Sequence, residues 1–517
     1  MLDVEVVSLG YFPPIGQLHL AFNAPAYDVA MDNIREKYNA TINFTGMIYL
    51  ADAEIAGNCF ALDDNADYLF TRWYFTKRRR SALTALIMPG CNGGGGTINR
   101  ITAHLNILTI YTGDPPPTII DRAQSPTSIS TAYVSLPTFV QAYDNFLLVN
   151  NWTSLFLLYN EANAAPLCRG MFMMVSDMIS LVPERRQTRR MMTNATDQDV
   201  LLQFHDVSRV LLFFGHAANL RKLLITASSM NMTDGQYVYV AFEAFPMPAA
   251  YGNLNWQYGD KDDEAARLAF RSLIVIQPSS SSHPPSREAR ELGVQFQKRS
   301  ASQYNYSYPL SRQPLSSMLA FYLSVIIFAQ ILNDSLSDGL DVHNGRMLAN
   351  QFLDRHFDGD LDPDVYIGAA GNRIPEIVLS QFTGIPTCLT PFRKQFANNT
   401  NRLARMSDPD WPFSTPWPPP DEPHCGYRNE KVICKRQQDK DIALNYVIPI
   451  ACVVLLIVVS LVYGHIIRSR KRLSYSWWFI EPSALVEMTR RLASQAYRHS
   501  NLHMESGPDV KRDALSR

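Results

Sequence analysis

The sequence predicts an α/β fold built on parallel sheets, followed by one membrane-spanning helix. Three observations carry that reading. Short apolar runs rich in β-branched and aromatic residues alternate with stretches of helical spacing about 10–15 residues long, the rhythm of strand–helix–strand layers. Residues 442–464 (IALNYVIPIACVVLLIVVSLVYG) hold 23 positions without a charge. At about 1.5 Å per residue they reach about 35 Å, more than a hydrocarbon core of about 30 Å. The pattern Asn-X-Ser/Thr occurs at Asn39, Asn43, Asn151, Asn194, Asn231, Asn305, Asn333 and Asn398, all before that run and none after it. A lumenal N-terminal region with an inner C-terminal flank accounts for such one-sidedness.

In chain order, residues 4–11 read as a strand, 25–37 as a helix and 41–50 as β-rich. A polar-aromatic segment with Lys77-Arg78-Arg79-Arg80 follows, and that basic run reads as a solvated face. Next comes a compact βαβ unit: the apolar run 84–88, a glycine loop at 89–96 (PGCNGGGG), a helical stretch to about Asn106 and a strand at 107–111. The rhythm then repeats. Residues 137–150, 197–204 and 217–229 look helical, while 152–159, 209–215 and 237–242 look like strands. An apolar segment begins at 173–179. A second long apolar run, 314–332, has serines and a glutamine inside it and sequons at Asn305 and Asn333 on either side. If it crossed the bilayer those sequons would lie on opposite sides, so it reads as a core helix. Residues 408–423 (DPDWPFSTPWPPPDEP) read as an extended stalk. The run at 442–464 has Tyr446 and Tyr463 near its ends and is followed by Arg468, Arg470, Lys471 and Arg472, a stop-transfer cluster.

The 47 basic and 48 acidic residues give a formal net charge of -1, with no global field to draw nucleic acid. Arg185, Arg186, Arg189 and Arg190 lack interleaved aromatics and read as a solvated face. The glycine loop lacks GK[ST] and the GxGxxG spacing, which excludes a P-loop and a dinucleotide fingerprint. No HExxH, GxSxG or CxxC occurs. The acidic run 358–364 lacks the glycine and terminal glutamate of a calcium loop and reads as a polar turn. No catalytic residues, metal site or cofactor are expected. Candidate ligand contacts are Gly90, Cys91, Gly93, Tyr111 and Thr112, because open α/β sheets take ligands beyond the carboxyl ends of their strands. Seven cysteines are present; Cys452 lies in the apolar run, and the six before it are an even number that fits disulfides. The first ten residues have no basic start and no apolar signal core. An incomplete N-terminus is therefore the expectation, with the span as an internal signal the rival reading.

Several segments in order resemble the ligand-binding region of receptor guanylyl cyclases and natriuretic peptide receptors. They are the Pro-Gly-Cys loop with its helix, residues 208–215 (SRVLLFFG), 220–227 (LRKLLITA) and 232–241 (MTDGQYVYVA), Phe357-Asp-Gly359 and Gly371-Asn-Arg373. Residues 423–434 (PHCGYRNEKVIC) resemble the juxtamembrane disulfide loop, and 476–480 (SWWFI) the lead-in to a kinase-homology domain. The resemblance implies a bilobed periplasmic-binding-protein type I ectodomain, two parallel sheets flanked by helices, over residues 1–407. A stalk and disulfide loop at 408–441, the membrane helix at 442–467 and a short tail at 468–517 complete the domain reading. It implies pairing of Cys59 with Cys91 and of Cys425 with Cys434, and leaves Cys168 with Cys388. Family members hold a chloride near the amides at Gly90-Cys91. Here Asp52 stands where a hydroxyl is expected, and its carboxylate opposes an anion. Asn372 replaces the family's aspartate.

The resemblance implies a plasma-membrane, single-pass type I receptor subunit with its N-terminus outside. It would bind an extracellular peptide or small molecule, act as a homodimer and pass ligand binding on as a lobe or dimer rearrangement. No cyclase sequence precedes Arg517, so the chain is not expected to be an enzyme itself. A clearance or decoy receptor is the alternative. An ionotropic-glutamate-receptor-like subunit would need further spans.

Overall fold

The computed structural model describes residues 1–12, 19–89, 96–113, 117–192, 195–244, 247–282, 284–308, 315–359, 362–383, 388–412, 415–428, 431–432, 434, 443–474, 483, 486–488 and 490–491. They fall into two units, Met1–Tyr427 and Arg428–Arg517.

The first unit has two lobes. Lobe 1 begins with β1 (Leu2–Leu9), α1 (Leu20–Tyr38), β2 (Ile42–Leu50), α2 (Cys59–Thr76), β3 (Leu83–Met88), α3 (Gly96–His104), β4 (Leu108–Tyr111) and β5 (Ser128–Ser130). Its sheet runs β2-β1-β3-β4-β5, every pair parallel. Alternation along β1 divides the core: Val4 and Val6 pack on one face with α1, Val7 and Leu9 on the other with α2. A sheet covered on both faces needs such apolar strands. The chain returns to this lobe with α10 (Arg287–Gln303), α11 (Leu315–Ser337), α12 (Gly345–Asn350) and the hairpin β11 (Arg355–Gly359)–β12 (Asp362–Ile367). α11 is the second apolar run of the sequence. It is long and apolar enough to span a bilayer, but 72% of its apolar window is buried, against α1 and α10. Of the acidic run 358–364, residues 358–359 end β11 and 362–364 begin β12, while 360–361 lie outside the described residues.

Lobe 2 comprises α4 (Leu136–Val149), β6 (Ser154–Asn160), α5 (Pro166–Ser180), β7 (Arg186–Met192), α6 (Asp197–Val207), β8 (Val210–Phe214), α7 (Ala217–Ser229), β9 (Val238–Phe242), α8 (Pro248–Tyr251), α9 (Asp263–Ala269) and β10 (Leu273–Pro278). β13 (Ile377–Thr383), β14 (Cys388–Phe396) and β15 (Asn399–Arg405) extend the same sheet. Its order is β15-β14-β13-β10-β9-β8-β6-β7, parallel from β7 to β10 and antiparallel beyond. Leu155, Leu157 and Tyr159 face one core and Phe156 and Leu158 the other.

Two differences from the sequence reading have clear causes. α2 lies where only a polar-aromatic segment was expected. Leu62, Ala66, Leu69, Phe70 and Trp73 form its buried face and Asn58 caps it by accepting from Ala61 N at 3.0 Å, but Phe60, Tyr68 and Phe75 are exposed and blur the amphipathic pattern. The second difference is the expected stalk, whose described residues pack on lobe 2 instead. Trp411 is 4% exposed and donates its Nε1 proton to Gly235 O at 2.7 Å. Trp417 lies among Phe146, Trp152, Phe392 and Trp411, with ring centroids 4.6–6.4 Å apart. Trp152 Nε1 donates to Pro419 O at 2.9 Å. The Asp421 carboxylate accepts from Thr153 N and from Ser154 N, the latter at 2.7 Å, and so caps the start of β6. Arg209 stacks between Tyr237 and Tyr427, 4.7 and 5.2 Å from the ring centroids, and Arg186 pairs with Glu422. Proline keeps this segment out of helix and sheet, but its tryptophans still find a core to enter.

The second unit contains a π-helical turn, Ala443–Val447, and a helix, Ile448–Ser474. The helix is apolar enough to cross a membrane over Asn445–Lys471, and none of its window is buried. Pro449 sits at its second position, where the missing N–H breaks no hydrogen bond of a preceding α-turn. Ser460 donates to Leu456 O at 2.7 Å, satisfying its hydroxyl within the helix. Position 442, where the sequence reading began the span, lies outside the described residues.

Candidate functional site

Three segments join the lobes, and their routes fix which edges face each other. The chain leaves lobe 1 at the carboxyl end of β5 and enters lobe 2 at α4. It leaves lobe 2 at the carboxyl end of β10 for α10, and returns from β12 into β13. The carboxyl edges of both parallel sheets therefore meet at the hinge, the place where open α/β sheets take ligands. The hinge is tied by backbone: Ser130 N donates to Gly371 O at 2.7 Å, Arg373 N to Ser130 O at 2.8 Å and Ser279 N to Glu376 O at 2.8 Å. Tyr133 shares a 2.7 Å hydrogen bond with Ser280, and Arg373 lies 5.5 Å from the Tyr133 ring centroid. Gly371 has φ +83°, and a Cβ there would lie 2.9 Å from the Arg122 guanidinium. The Gly371-Asn-Arg373 motif is thus a hinge clasp that only glycine can begin.

At the lip of lobe 1, the two described candidates turn inward. Tyr111 is 1% exposed, its ring in the core beneath α2 and α3. The Thr112 hydroxyl shares a 2.5 Å hydrogen bond with that of Tyr27 and donates to Met88 O at 3.2 Å. Their side chains are committed to lobe packing. Gly90, Cys91 and Gly93 lie outside the described residues. Nearby, His19 is fully buried among Tyr11, Phe22 and Tyr306, and among the described residues neither ring nitrogen has a hydrogen-bond partner. Burial pushes it down to about 4, so the ring is neutral.

The lip of lobe 2 carries a pocket the sequence reading missed. Cys168, Gly215, Phe242, Glu243, Tyr251 and Gly252 line a cavity of about 20 Å³. Each comes from a carboxyl edge or the helix after it: Gly215 follows β8, Glu243 follows β9, and Cys168 lies in the first turn of α5. Burial raises the Glu243 carboxyl to about 7. It raises the Cys168 thiol to about 11, whose sulfur is 3.9 Å from Gly215 O. Glu243 could have been flagged as a charge placed directly after an apolar strand. Its pocket partners come from other crossovers and leave no local signal.

Cys59, Cys425 and Cys434 are disulfide-bonded, and Cys91 lies outside the described residues. The expected Cys168–Cys388 pair is corrected: both are free thiols, Cys168 buried and Cys388 exposed. Cys168 sits beside the end of β8 and Cys388 starts β14, four strands away in the sheet. That is about 19 Å at about 4.8 Å per strand, beyond the roughly 7 Å reach between Cα atoms of a disulfide.

Two α/β lobes face each other across a three-segment hinge, an arrangement that leaves the carboxyl edges of their parallel strands open to a ligand. The chain belongs to the family described as receptor family ligand binding region, whose model matches residues 27–385. Relatives include the receptor-type guanylate cyclase gcy-28 of Caenorhabditis elegans, 23% identical over 231 residues, covering 43% of this chain and 17% of the relative. Human atrial natriuretic peptide receptor 3 is 22% identical over 189 residues, 36% of this chain and 33% of that receptor. Rat atrial natriuretic peptide receptor 2 is 25% identical over 161 residues, 29% and 15% respectively. The matches span no more than about a third of these relatives' own lengths.

Proposed function

We propose that this chain is a single-pass cell-surface receptor subunit that takes an extracellular ligand between its lobes and passes the resulting movement of lobe 2 toward the membrane. The observation that carries the reading is the anchoring of the described residues between 408 and 427. The Trp411–Trp417 cluster, the Asp421 cap on β6 and the Arg209 stack bind this segment to the end of lobe 2 away from the hinge. A segment held this way moves with its lobe, so hinge closure reaches Tyr427 without slack. A ligand shifts such an equilibrium only by binding one arrangement better than the other. Pairing of two copies would turn that shift into a relative movement of two spans. A clearance receptor would need binding without transmission, and a firmly anchored segment favours transmission. The cyclase activity named in one relative is that relative's; in this reading the present chain serves as a sensor.

Orientation is supported by the sequons. Asn39, Asn43, Asn151, Asn231, Asn305 and Asn398 are exposed and Asn333 half-buried. Asn151, Asn231 and Asn305 sit at turns with φ of 53°, 57° and 50°. The test is antibody access to terminal tags on cells expressing the full chain, with a glycosidase mobility shift. The proposal expects the N-terminal tag to stain on intact cells, the C-terminal tag only after permeabilisation, and the mass to fall on deglycosylation. The reverse staining, or an N-terminal tag confined to permeabilised cells, overturns it.

A further inference from the structure

We propose that the pocket in the lip of lobe 2 is a subsite for a primary ammonium group, held by the carboxylate of Glu243. This rests on the reading of the hinge-facing edges as the ligand site, and names the chemistry of what that site takes. Glu243 is fixed at its backbone, its N–H donating to Ile276 O at 2.9 Å, so its position follows the edge of β9 and β10. Among the described residues no hydrogen-bond donor and no Lys, Arg or His reaches its carboxylate. A carboxylate partly withdrawn from water without a partner opposes folding, and burial alone raises it to about 7. An arriving cation would supply the missing partner.

The surroundings narrow the cation. Phe213, Phe242 and Tyr251 contribute aromatic walls, which favour a positive charge near their faces. The other titratable groups facing the space do not compete for it. The Cys168 thiol is held neutral, raised to about 11. The His216 ring packs under Gly252, burial lowers its pKa, and its Nδ1 already accepts from Ala218 N at 3.3 Å. Size and hydrogen bonding narrow it further. A cavity of about 20 Å³ has room for one water-sized group, each needing about 10–15 Å³. A primary ammonium is of that size and donates hydrogen bonds to a carboxylate, which a quaternary ammonium has no N–H to do. The ligand class is therefore an amine-bearing small molecule or a peptide presenting a lysine or free amino end.

The test uses the detergent-solubilised full chain and n-butylammonium chloride, read by thermal unfolding and by isothermal titration, against equal sodium chloride. Wild type is expected to rise by about 2 °C at saturating amine. Tetramethylammonium and butyrate should give no rise. Glu243→Gln should lose the response, and Glu243→Asp, which withdraws the carboxylate by one methylene, should weaken it. Glu243→Gln relieves an unpaired charge, so its melting point should equal or exceed that of wild type, which separates lost binding from lost fold. A flat wild-type titration, an equal rise in Glu243→Gln, or an equal rise with tetramethylammonium overturns the assignment. Those results leave the receptor reading intact, because that reading is decided by tag orientation. Reversed tags would instead remove the receptor reading while the titration still reported on the pocket.

Discussion

Replacing Asp421 with alanine tests whether the proline-rich segment is part of lobe 2. In the native chain the Asp421 carboxylate accepts from two backbone amides at the start of β6, Thr153 N and Ser154 N, and from the Thr153 hydroxyl at 3.2 Å. Ser154 is 2% exposed, so water does not replace the lost acceptor without local opening. Leaving a buried donor unsatisfied costs about 1–3 kcal/mol. Two amides that share one carboxylate and open together give about 2–4 kcal/mol. At about 1.4 kcal/mol per decade, amide exchange at Thr153 and Ser154 should quicken by about 30- to 700-fold in Asp421→Ala. Asp421→Asn keeps one acceptor oxygen and should show a much smaller change. Hydrogen exchange read by mass spectrometry on a peptide covering the start of β6 measures this directly. An acceleration below about threefold in the alanine variant would refute the anchoring, since a freely moving stalk has nothing to lose there.

Other consequences follow from the same packing. Trp411→Ala empties a buried site and removes the hydrogen bond to Gly235 O, so denaturant unfolding should show a loss of about 3–5 kcal/mol. Limited proteolysis should begin to cut within residues 408–427 in that variant. At the lip of lobe 1, Thr112→Val strands the fully buried Tyr27 hydroxyl and should destabilise by about 1–3 kcal/mol. Tyr27→Phe should destabilise less, because the Thr112 hydroxyl keeps Met88 O as a partner; equal losses would contradict that account. For Glu243 the folded state raises an acid from 4.5 to about 7. The folded state then holds its proton more tightly than the unfolded state, so stability falls as pH rises from 4.5 toward 7 and the penalty is complete above that. Melting curves should therefore show Glu243→Gln gaining more over wild type at pH 8 than at pH 6, and a smaller gain at pH 8 would contradict the burial of that carboxylate.

Much of this architecture is legible in the chain because its central strands are buried on both faces. Residues 209–215 and 237–242 read as continuous apolar runs, and β8 and β9 lie within them. The serines and flanking sequons of the run at 314–332 mark a core helix, and α11 packs inside lobe 1. The packing of the expected stalk is hidden for a physical reason. Proline content reports on backbone geometry, and the described residues of this segment form no α-helix or strand, but it says nothing of where tryptophan rings go. Trp152 and Trp417 lie more than 250 positions apart in sequence and 5.8 Å apart in space. The pocket was illegible for a similar reason. Cys168, Gly215, Glu243 and Tyr251 share one edge only because successive crossovers return each strand to the same side, and no local spacing encodes that.

The proposed function requires lobe 2 and the segment leading to Tyr427 to move as one body while the hinge lets lobe 1 move. Paired spin labels measure this in the full chain, on a background with the exposed free thiols Cys388 and Cys452 changed to serine. One pair joins Leu202→Cys, exposed on α6 of lobe 2, to Pro420→Cys, exposed in the anchored segment. The other joins Tyr68→Cys, exposed on α2 of lobe 1, to Pro420→Cys. The account predicts a single narrow distance for Leu202–Pro420 and a broader or two-component distribution for Tyr68–Pro420, which spans the hinge. A Leu202–Pro420 distribution as broad as the one across the hinge would contradict it.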